Sequence, residues 1–485
     1  MLNWSLALLS AALLILTFPK ANLAFLAPVA LAPMLIALAR ELRPWRRLLL
    51  GWVAGIVYWF GVCYWIQFDL ALHGGISNFV AWLLFLLFCL AKALHLAFFA
   101  LIAGIFMRRP WAVPAVAALW VAIEVTHGHL GFAWLALGNA GIDMGIPMRL
   151  APFTGVYGLS FLFVVMSATL ALAALRRPRR ELLWLALVPL TLLLPRMPAA
   201  QRGSDTALLV QPNLSEDAEY TTQSLDDLEQ HLVEVSLRGV LADLANRPSI
   251  IVWPEVPAPL YYEEDPRLRK YVGDLTEATR AYLLSGIVAH NEEHTPLNSI
   301  ELVAPSGHAV SRYDKVNLVP FGEFVPWPFN SFVSKISTEA GDFAAGTKVV
   351  VSQVNNHRIG AFICYESVFP DFVRQFAHGG AEVLFNLSND GWFGKSSARE
   401  QHLEIARMRA AENRRWLLRS TNDGITATID PAGRLRGTLP LYREATSTTG
   451  FGYISAQTVY TRFGDWFPIV CAVAALAFLI AERAL

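Results

Sequence analysis

The sequence predicts a membrane protein that carries one extramembrane α/β domain, and three observations lead to this fold class. Hydrophobic residues make up 55% of the 485 residues and charged residues only 16%, whereas a soluble globular chain carries about 25% charged residues. The apolar composition is concentrated in 1–198 and 464–482, while 199–463 has the composition of an ordinary soluble domain. Within 199–463, short apolar runs alternate with helical patterns, which is typical of a layered α/β domain.

The apolar regions contain eight candidate membrane helices. A spanning helix needs about 20 mostly apolar residues. The candidates are 2–18, 22–39, 47–66, 78–106, 110–126, 150–175, 181–196 and 464–482. We therefore expect a membrane domain of seven spans over 1–198, an extramembrane domain over 199–463 and a last span within 464–485. The Gly-rich stretch 127–149 is expected to form a loop or a re-entrant piece near the membrane surface.

Positive charges predict the orientation, because Lys and Arg in short loops stay on the cytoplasmic side. Three Arg clusters lie at 40–47, 108–109 and 176–180. If the eight segments alternate across the bilayer, all three clusters fall on one side. Both termini are then cytoplasmic and 199–463 lies outside, which in a bacterium is the periplasm.

Charge also predicts the partners. Lys and Arg together number 39, as do Asp and Glu, so the net charge is zero. Without a basic stripe, nucleic acid is not an expected partner, and the lipid bilayer is. Glu124 is expected at the interface, because a charge inside the bilayer is costly. Trp and Tyr near the span ends are expected to form an interfacial belt, or in part to line a lipid entry site. They are Tyr58, Trp59, Tyr64, Trp65, Tyr157 and Trp466.

The soluble part has a specific order of elements. Strands are expected at 206–210, 249–253, 283–289, 298–304, 307–314, 358–363, 383–387, 417–420 and 426–430. Helices are expected at 226–245, 265–282, 368–376 and 400–415. Runs such as 249–253 lack polar alternation, so we expect these strands to be covered on both faces.

Three ionisable residues follow strands of this domain. Cys364, the only cysteine of 199–463, lies at a strand-to-helix turn that is expected to lower the pKa of its thiol. Glu255 follows a strand and Pro254, where it could serve as a general base. Lys315 could stabilise an oxyanion and favour the Cys364 thiolate, and Glu323 could hold either group in place. Taken singly, each could also be structural: a packed thiol, a surface carboxylate, a solvated lysine.

The order of these three residues and the segments around them favour the catalytic roles over the structural ones. Glu255, Lys315 and Cys364 resemble the Glu-Lys-Cys triad of the nitrilase superfamily. The surrounding segments WPE, DKVNLVPFGEFVP, CYE and SNDGWFG are similar to those of its membrane-embedded branch, the apolipoprotein N-acyltransferases of the bacterial inner membrane. The expected membrane plan agrees, so the resemblance covers nearly the whole chain.

This resemblance implies a fold and a mechanism. The fold would be a four-layer αββα sandwich inserted into the bundle of about eight transmembrane helices. Cys364 would attack the ester of a phospholipid, typically phosphatidylethanolamine, and form a thioester while lysophospholipid leaves. The α-amine of a diacylglyceryl-cysteine lipoprotein would then take the acyl group. Glu255 would carry the proton, and Lys315 with the backbone N–H of Tyr365 would form the oxyanion site. No metal or cofactor is implied.

The resemblance also implies supporting roles. Glu323, Tyr365 and Glu366 match supporting positions, and Asn298, Asn389 and Trp392 match segments that shape the pocket. Many relatives carry a basic residue and a Trp where this chain has Glu219 and Tyr220, so no lipid contact is assigned there. The apolar loop 324–329 could act as a lid or dip into the lipid surface, or it could be an ordinary packed loop.

Two other functions compete with this one. A membrane-tethered amidase would use the same triad with water as acceptor, but the DGWFG segment and the eight-span plan argue against it. A transporter or receptor with a degenerate sensing domain would not need an intact triad. Sparse intramembrane charges also disfavour transport.

Overall fold

The computed structural model describes residues 1–72, 76–130, 132–199, 203–215, 221–256, 259–325 and 343–484. Within these ranges the chain forms an apolar helical part, up to residue 199 and again from residue 466, and a two-sheet α/β domain that begins at residue 205. The segment 219–220 and most of the loop 324–329 lie outside the described residues.

The helical part consists of long helices joined by short ones. The long helices are Leu2–Thr17, Ala32–Arg40, Pro44–Val62, Trp65–Leu72, Asn78–Phe106, Ala112–Glu124, Val156–Ala174 and Trp466–Ala484. The short α- and 3-10 helices are Ala24–Leu26, Thr126–His129, Leu137–Gly141, Pro147–Leu150, Ala151–Thr154, Arg179–Ala186, Leu187–Leu190 and Thr191–Leu193. Glycines bring Pro44–Val62 against Asn78–Phe106, because a Cβ at Gly51 would lie 2.4 Å from Ala100 Cβ. Small residues allow this close helix packing inside membranes.

Fewer helices than expected meet the length and composition of a membrane span. Among the described residues, Asn78–Phe106 and Val156–Ala174 meet both, and Pro44–Val62 with Trp65–Leu72 would add a third if this pair, bent by 57°, counts as one. Leu2–Thr17 and Trp466–Ala484 are apolar but fall short of this test. The bundle of about eight spans is therefore not confirmed.

Two expected spans are not continuous helices. Segment 22–39 becomes helical over Ala24–Leu26 and then over Ala32–Arg40, and segment 181–196 consists of short 3-10 and α-helical turns. Pro28 lies between the two helices of the first segment, and Pro189 lies within the second segment. Proline lacks the N–H that a continuous helix needs.

Glu124 is buried rather than interfacial, with 8% of its surface exposed. Its Oε1 accepts hydrogen bonds from Trp120 Nε1 at 3.0 Å and from the Leu137 N–H at 2.7 Å. The expectation was wrong because these donors replace water around one carboxylate oxygen. Trp59, Trp65 and Tyr157 are also buried, so they pack inside the protein and do not belong to an interfacial belt.

The α/β domain contains two six-stranded sheets. The strands are β1 Asp205–Gln211, β2 Ile250–Val252, β3 Tyr282–His290, β4 Pro296–Val303, β5 Ala309–Asp314, β6 Val351–Val354, β7 His357–Ile363, β8 Val383–Ser388, β9 Leu417–Thr421, β10 Ala427–Ile429, β11 Leu435–Thr438 and β12 Ala445–Phe451. The first sheet has the order β12-β1-β2-β3-β4-β5 and the second β11-β10-β9-β8-β7-β6. The domain's helices are Thr222–Ala242, Pro266–Thr279, Cys364–Val368, Pro370–His378, Asp390–Phe393, Ala398–Asn413 and Val459–Phe463, with a 3-10 turn at Leu244–Asn246.

Both sheets are mixed, and their parallel strands end close together. The parallel strands are β1, β2 and β3 in one sheet and β7, β8 and β9 in the other. Ser420 Oγ in β9 donates to the carbonyls of Val210 in β1 and Val252 in β2, at 2.8 and 3.3 Å. Side chains that follow these strands are therefore brought to one region between the sheets.

Candidate active site

Each residue of the expected triad directly follows a strand. Glu255 lies just after β2, Lys315 follows the last residue of β5, and Cys364 follows the last residue of β7. Two of these strands belong to the first sheet and one to the second. The fold therefore brings together three residues that are far apart in sequence.

Lys315 lies at the centre of a buried polar cluster, which we call the lysine cluster: Lys315, Glu255, Glu323 and Asn298. Lys315 Nζ donates to Oε1 of Glu255 at 3.0 Å and to Oε1 of Glu323 at 2.8 Å. Asn298 Nδ2 donates to the same two oxygens, at 2.8 and 2.7 Å. The ammonium and the amide thus each bridge both carboxylates and orient them.

The lysine cluster keeps Lys315 charged. Only 1% of the Lys315 surface is exposed, and burial alone would lower the pKa of its ammonium. The carboxylates of Glu255 and Glu323 more than offset this effect, so the pKa of Lys315 is raised. Lys315 is a fixed positive charge in a site shielded from water, where charge interactions are stronger than in solution.

The second oxygen of Glu255 points toward the other sheet. Glu255 Oε2 accepts a hydrogen bond from the backbone N–H of Asn389 at 2.8 Å. Asn389 directly follows β8, so Glu255 connects the strand ends of the two sheets. Asn389 takes part through its backbone, while its side chain caps the next turn by accepting from the Gly391 N–H at 3.3 Å.

Cys364 lies in a strained turn beside this cluster. Its φ is +43°, a left-handed value that is uncommon outside glycine. Burial raises the pKa of the Cys364 thiol, and the Glu255 carboxylate raises it further, against the opposing effect of Lys315. The prediction of a lowered pKa was wrong, because burial and a carboxylate outweigh the turn and the lysine. The thiol is the resting form, so its reaction requires a base.

Glu366 fastens the segment after Lys315 to the strand before Cys364. Glu366 is fully buried, and its Oε1 accepts from Tyr313 Oη, the Val316 N–H and the Asn317 N–H at 2.6, 2.8 and 3.1 Å. Its Oε2 accepts from the Ile363 N–H at 2.8 Å. Burial raises the pKa of Glu366 to about 7, although these donors lower it.

Two further expected residues lie at the edges of the site. The Tyr365 ring is buried, with its centroid 6.4 Å from that of Phe132 in the helical part and 5.3 Å from that of Phe369. Trp392 is 38% exposed, on the turn Asp390–Phe393. Tyr365 therefore joins the turn that carries Cys364 to the apolar helices, while Trp392 is partly exposed.

A second buried polar cluster contacts Cys364 and was not predicted. We call it the histidine cluster: His402, Asp390 and Arg419. His402 Nε2 lies 3.0 Å from the carbonyl oxygen of Cys364, and all three side chains are fully buried. The available signal was Arg419 itself, a charged residue directly after two leucines of the predicted strand that became β9, because a buried charge requires a partner.

A cavity of about 70 Å³ lies between the helical part and the domain. Its lining includes Trp59 and Trp120 from the apolar helices and Val368 and Pro370 from the segment that follows Cys364. The active-site turn and the apolar helices therefore share a common internal space.

Two family descriptions match consecutive parts of the chain. "Carbon-nitrogen hydrolase" matches residues 209–452, and "Apolipoprotein N-acyltransferase N-terminal domain" matches residues 10–169. The two-sheet domain with its buried Glu, Lys and Cys is therefore a nitrilase-like carbon-nitrogen hydrolase domain, here joined to apolar helices.

Full-length relatives identify the family. An apolipoprotein N-acyltransferase of Geobacter metallireducens is 31% identical over 98% of this chain and 95% of its own length. One of Azotobacter vinelandii is 32% identical over 99% of this chain and 95% of its own length. The chain belongs to the apolipoprotein N-acyltransferase family. An amidase from Nesterenkonia sp. is a similar solved structure, at 17% identity and a TM-score of 0.38, covering 52% of this chain and 92% of the amidase.

Proposed function

We propose that this chain is an acyltransferase of the bacterial inner membrane that completes lipoprotein maturation. It takes an acyl chain from a phospholipid of the phosphatidylethanolamine type and transfers it to the α-amine of a diacylglyceryl-cysteine lipoprotein. The observation that carries the mechanism is the buried Lys315 ammonium, held by Glu255 and Glu323 beside the Cys364 thiol.

The first half-reaction acylates the enzyme. Glu255 removes the proton from Cys364 Sγ, and the sulfur attacks the carbonyl carbon of the phospholipid ester. Lys315 and the backbone N–H of Tyr365 stabilise the oxyanion of the tetrahedral intermediate. When this intermediate collapses, the ester C–O bond breaks, Glu255 returns the proton to the departing oxygen, and lysophospholipid leaves. The raised pKa of Cys364 supports the role of Glu255 as the base, since the thiol must lose its proton before the sulfur attacks.

The second half-reaction transfers the acyl group. The lipoprotein amine attacks the thioester carbonyl while Glu255 takes a proton from nitrogen. The C–S bond then breaks, an amide forms, and the proton returns to Cys364 Sγ. Dividing one difficult transfer into two steps through a covalent intermediate is a general strategy of nucleophilic catalysis. The remaining predicted residues support this machinery: Glu323 and Asn298 hold Lys315 and Glu255, Glu366 holds the Cys364 turn, and Asn389 and Trp392 shape the pocket.

The proposed membrane arrangement has about eight spans, with seven in 1–198 and one in 464–485. Both termini are cytoplasmic, and 199–463 is a periplasmic domain with the four-layer αββα arrangement. Exposed apolar side chains support lipid contact: in Trp466–Ala484 one helix face carries Ile469, Val473, Leu476 and Ile480, each more than half exposed. Such a stripe is unfavourable in water. Both lipid substrates would then reach the site from the bilayer.

An acyl-transfer assay tests this function directly. Purified protein in phosphatidylethanolamine vesicles is incubated with a synthetic diacylglyceryl lipopeptide, and the product is followed by mass spectrometry. We expect the lipopeptide to gain one acyl chain when its α-amine is free and none when this amine is acetylated. Cys364→Ala should abolish the transfer, whereas Cys471→Ala, which removes a buried thiol of the last helix, should not. Release of free fatty acid with no acylated lipopeptide would contradict the proposal and support the amidase-like use of water.

A further inference from the structure

The histidine cluster makes a specific contact with the backbone of the proposed nucleophile. His402 lies on the helix Ala398–Asn413, and its Nε2 is 3.0 Å from the carbonyl oxygen of Cys364. A carbonyl oxygen can only accept, so Nε2 is the nitrogen that carries the proton and donates. This contact falls on the residue whose left-handed φ already makes the turn unusual.

Arg419 and Asp390 hold His402 in this form. Arg419 Nη2 lies 3.0 Å from His402 Nδ1 and 2.7 and 2.8 Å from the two oxygens of Asp390. Asp390 Oδ1 lies 3.1 Å from the same Nδ1, so this nitrogen is held between a donor and an acceptor. Burial and the Arg419 cation lower the pKa of His402, against the opposing effect of Asp390. In either charge state of the ring, Nε2 carries the proton that the Cys364 carbonyl accepts.

Peptide geometry transmits this contact to the acyl site. The peptide group between Cys364 and Tyr365 is planar, and in the trans form its C=O and N–H point in opposite directions. A hydrogen bond that holds the Cys364 carbonyl on the His402 side therefore directs the Tyr365 N–H to the other side. The same bond polarises the peptide and strengthens its N–H as a donor.

We propose that His402 is a positioning residue, which fixes the Cys364–Tyr365 peptide plane and thereby aims the Tyr365 N–H at the developing oxyanion. The inference deepens the proposed function and rests on it, since the oxyanion belongs to the proposed acyl transfer. His402 touches neither substrate nor the reacting atoms; it acts through the backbone.

Two substitutions of His402 separate this role from simple packing. His402→Gln keeps an N–H donor near the position of Nε2, while His402→Leu has similar bulk and no donor. The exposed His308 provides the matched control, His308→Leu. The full-length protein is mixed with phosphatidylethanolamine vesicles, and acyl-enzyme formation is followed by rapid quenching and intact-protein mass spectrometry. In parallel, Cys364 is alkylated with iodoacetamide, a reaction at a saturated carbon that forms no oxyanion.

We expect the maximal acylation rate of His402→Leu to fall about 100-fold, the usual cost of one oxyanion donor. Its half-saturating lipid concentration and its alkylation rate should stay close to those of wild type. His402→Gln should regain most of the lost acylation rate, and His308→Leu should match wild type. If His402→Leu does not fold, His402→Asn, whose amide is too short to reach the Cys364 carbonyl, takes its place in the comparison.

Three results would overturn the inference: equal acylation rates for the Gln and Leu variants, a Leu variant as fast as wild type, or equal losses of acylation and alkylation. The last result would mean that His402 only holds the turn in place. The proposed function itself fails in a different way, because then the wild type would form no acyl-enzyme or would pass the acyl group to water and not to the lipopeptide.

Discussion

Two buried clusters of charged and polar side chains lie beside Cys364. They differ in charge and in the groups that they contact. The lysine cluster places one cation between two carboxylates, and the charges of Lys315 and Glu255 act on the thiol. The histidine cluster pairs one cation with one carboxylate and an imidazole, and the imidazole contacts the backbone carbonyl of Cys364. In the proposed mechanism, the lysine cluster supplies the reacting groups, while the histidine cluster sets the geometry in which they react.

The largest effect is expected from the centre of the lysine cluster. Lys315→Met removes the proposed oxyanion cation and leaves two buried carboxylates facing each other without a counter-charge. We expect acylation to fall by about 10²–10³-fold from the lost donor alone. Single-turnover acylation with phosphatidylethanolamine measures this loss. Lys270→Met, which removes an exposed lysine bonded to Asp274 at 2.6 Å, is the matched control and should leave the rate unchanged.

The centre of the histidine cluster should respond mainly in stability. Asp390→Asn removes the carboxylate partner of the fully buried Arg419. Breaking a buried ion pair typically costs about 3–5 kcal/mol, so we expect a clearly lower melting temperature in detergent. Acylation should fall less than in Lys315→Met once the folded fraction is taken into account. A normal melting temperature together with an acylation rate as low as that of Lys315→Met would reverse the division of roles.

A smaller effect is expected from Glu366, through pH. Burial raises the pKa of Glu366 to about 7 from an ordinary value of 4.5. A raised folded-state pKa means that the folded protein binds the proton more tightly, so this contribution to stability is complete below pH 4.5 and is lost as pH rises through about 7. The difference in unfolding free energy between wild type and Glu366→Gln should therefore change over this window. A constant difference from pH 4 to 8 would contradict the assignment.

Glu323→Gln should have the smallest effect of the four. The variant keeps an oxygen that can accept from Lys315 Nζ, which now lies 2.8 Å from Glu323 Oε1. It removes one of two negative charges, while Glu255 still holds the lysine. We expect a loss of acylation well below that of Lys315→Met. An equal loss in the two variants would show that the second carboxylate, and not the cation, is the critical element.

Much of the domain and the lysine cluster could be predicted from the sequence. The apolar run 383–387 lies within β8 and the predicted strand 417–420 within β9, and the predicted residues Glu255, Asn298, Lys315 and Glu323 lie in direct contact. These predictions succeeded because buried strands carry a strong apolar signal and because the lysine cluster lies in motif segments.

Other features left no such signal. The edge strands β11 and β12 are exposed or half-buried and rich in polar residues, so no hydrophobic pattern marks them. The raised pKa of Cys364 depends on burial and on Glu255, which only the tertiary structure brings near. The histidine cluster joins a helix, a turn and a strand, and sequence spacing does not predict such a contact. Two expected spans are interrupted helices, because the apolar composition that predicted them takes no account of the effect of proline on a helix.

The central claim is that Cys364 carries the acyl group as a thioester formed with the help of Glu255 and Lys315. The most direct test is intact-protein mass spectrometry after incubation with phosphatidylethanolamine and without an acceptor. We predict one added acyl mass on wild type that neutral hydroxylamine removes, no added mass on Cys364→Ala, and strongly slowed addition on Glu255→Gln. An adduct that persists in Cys364→Ala, or a wild-type protein that never gains the mass while its lipid substrate is present, would contradict this account.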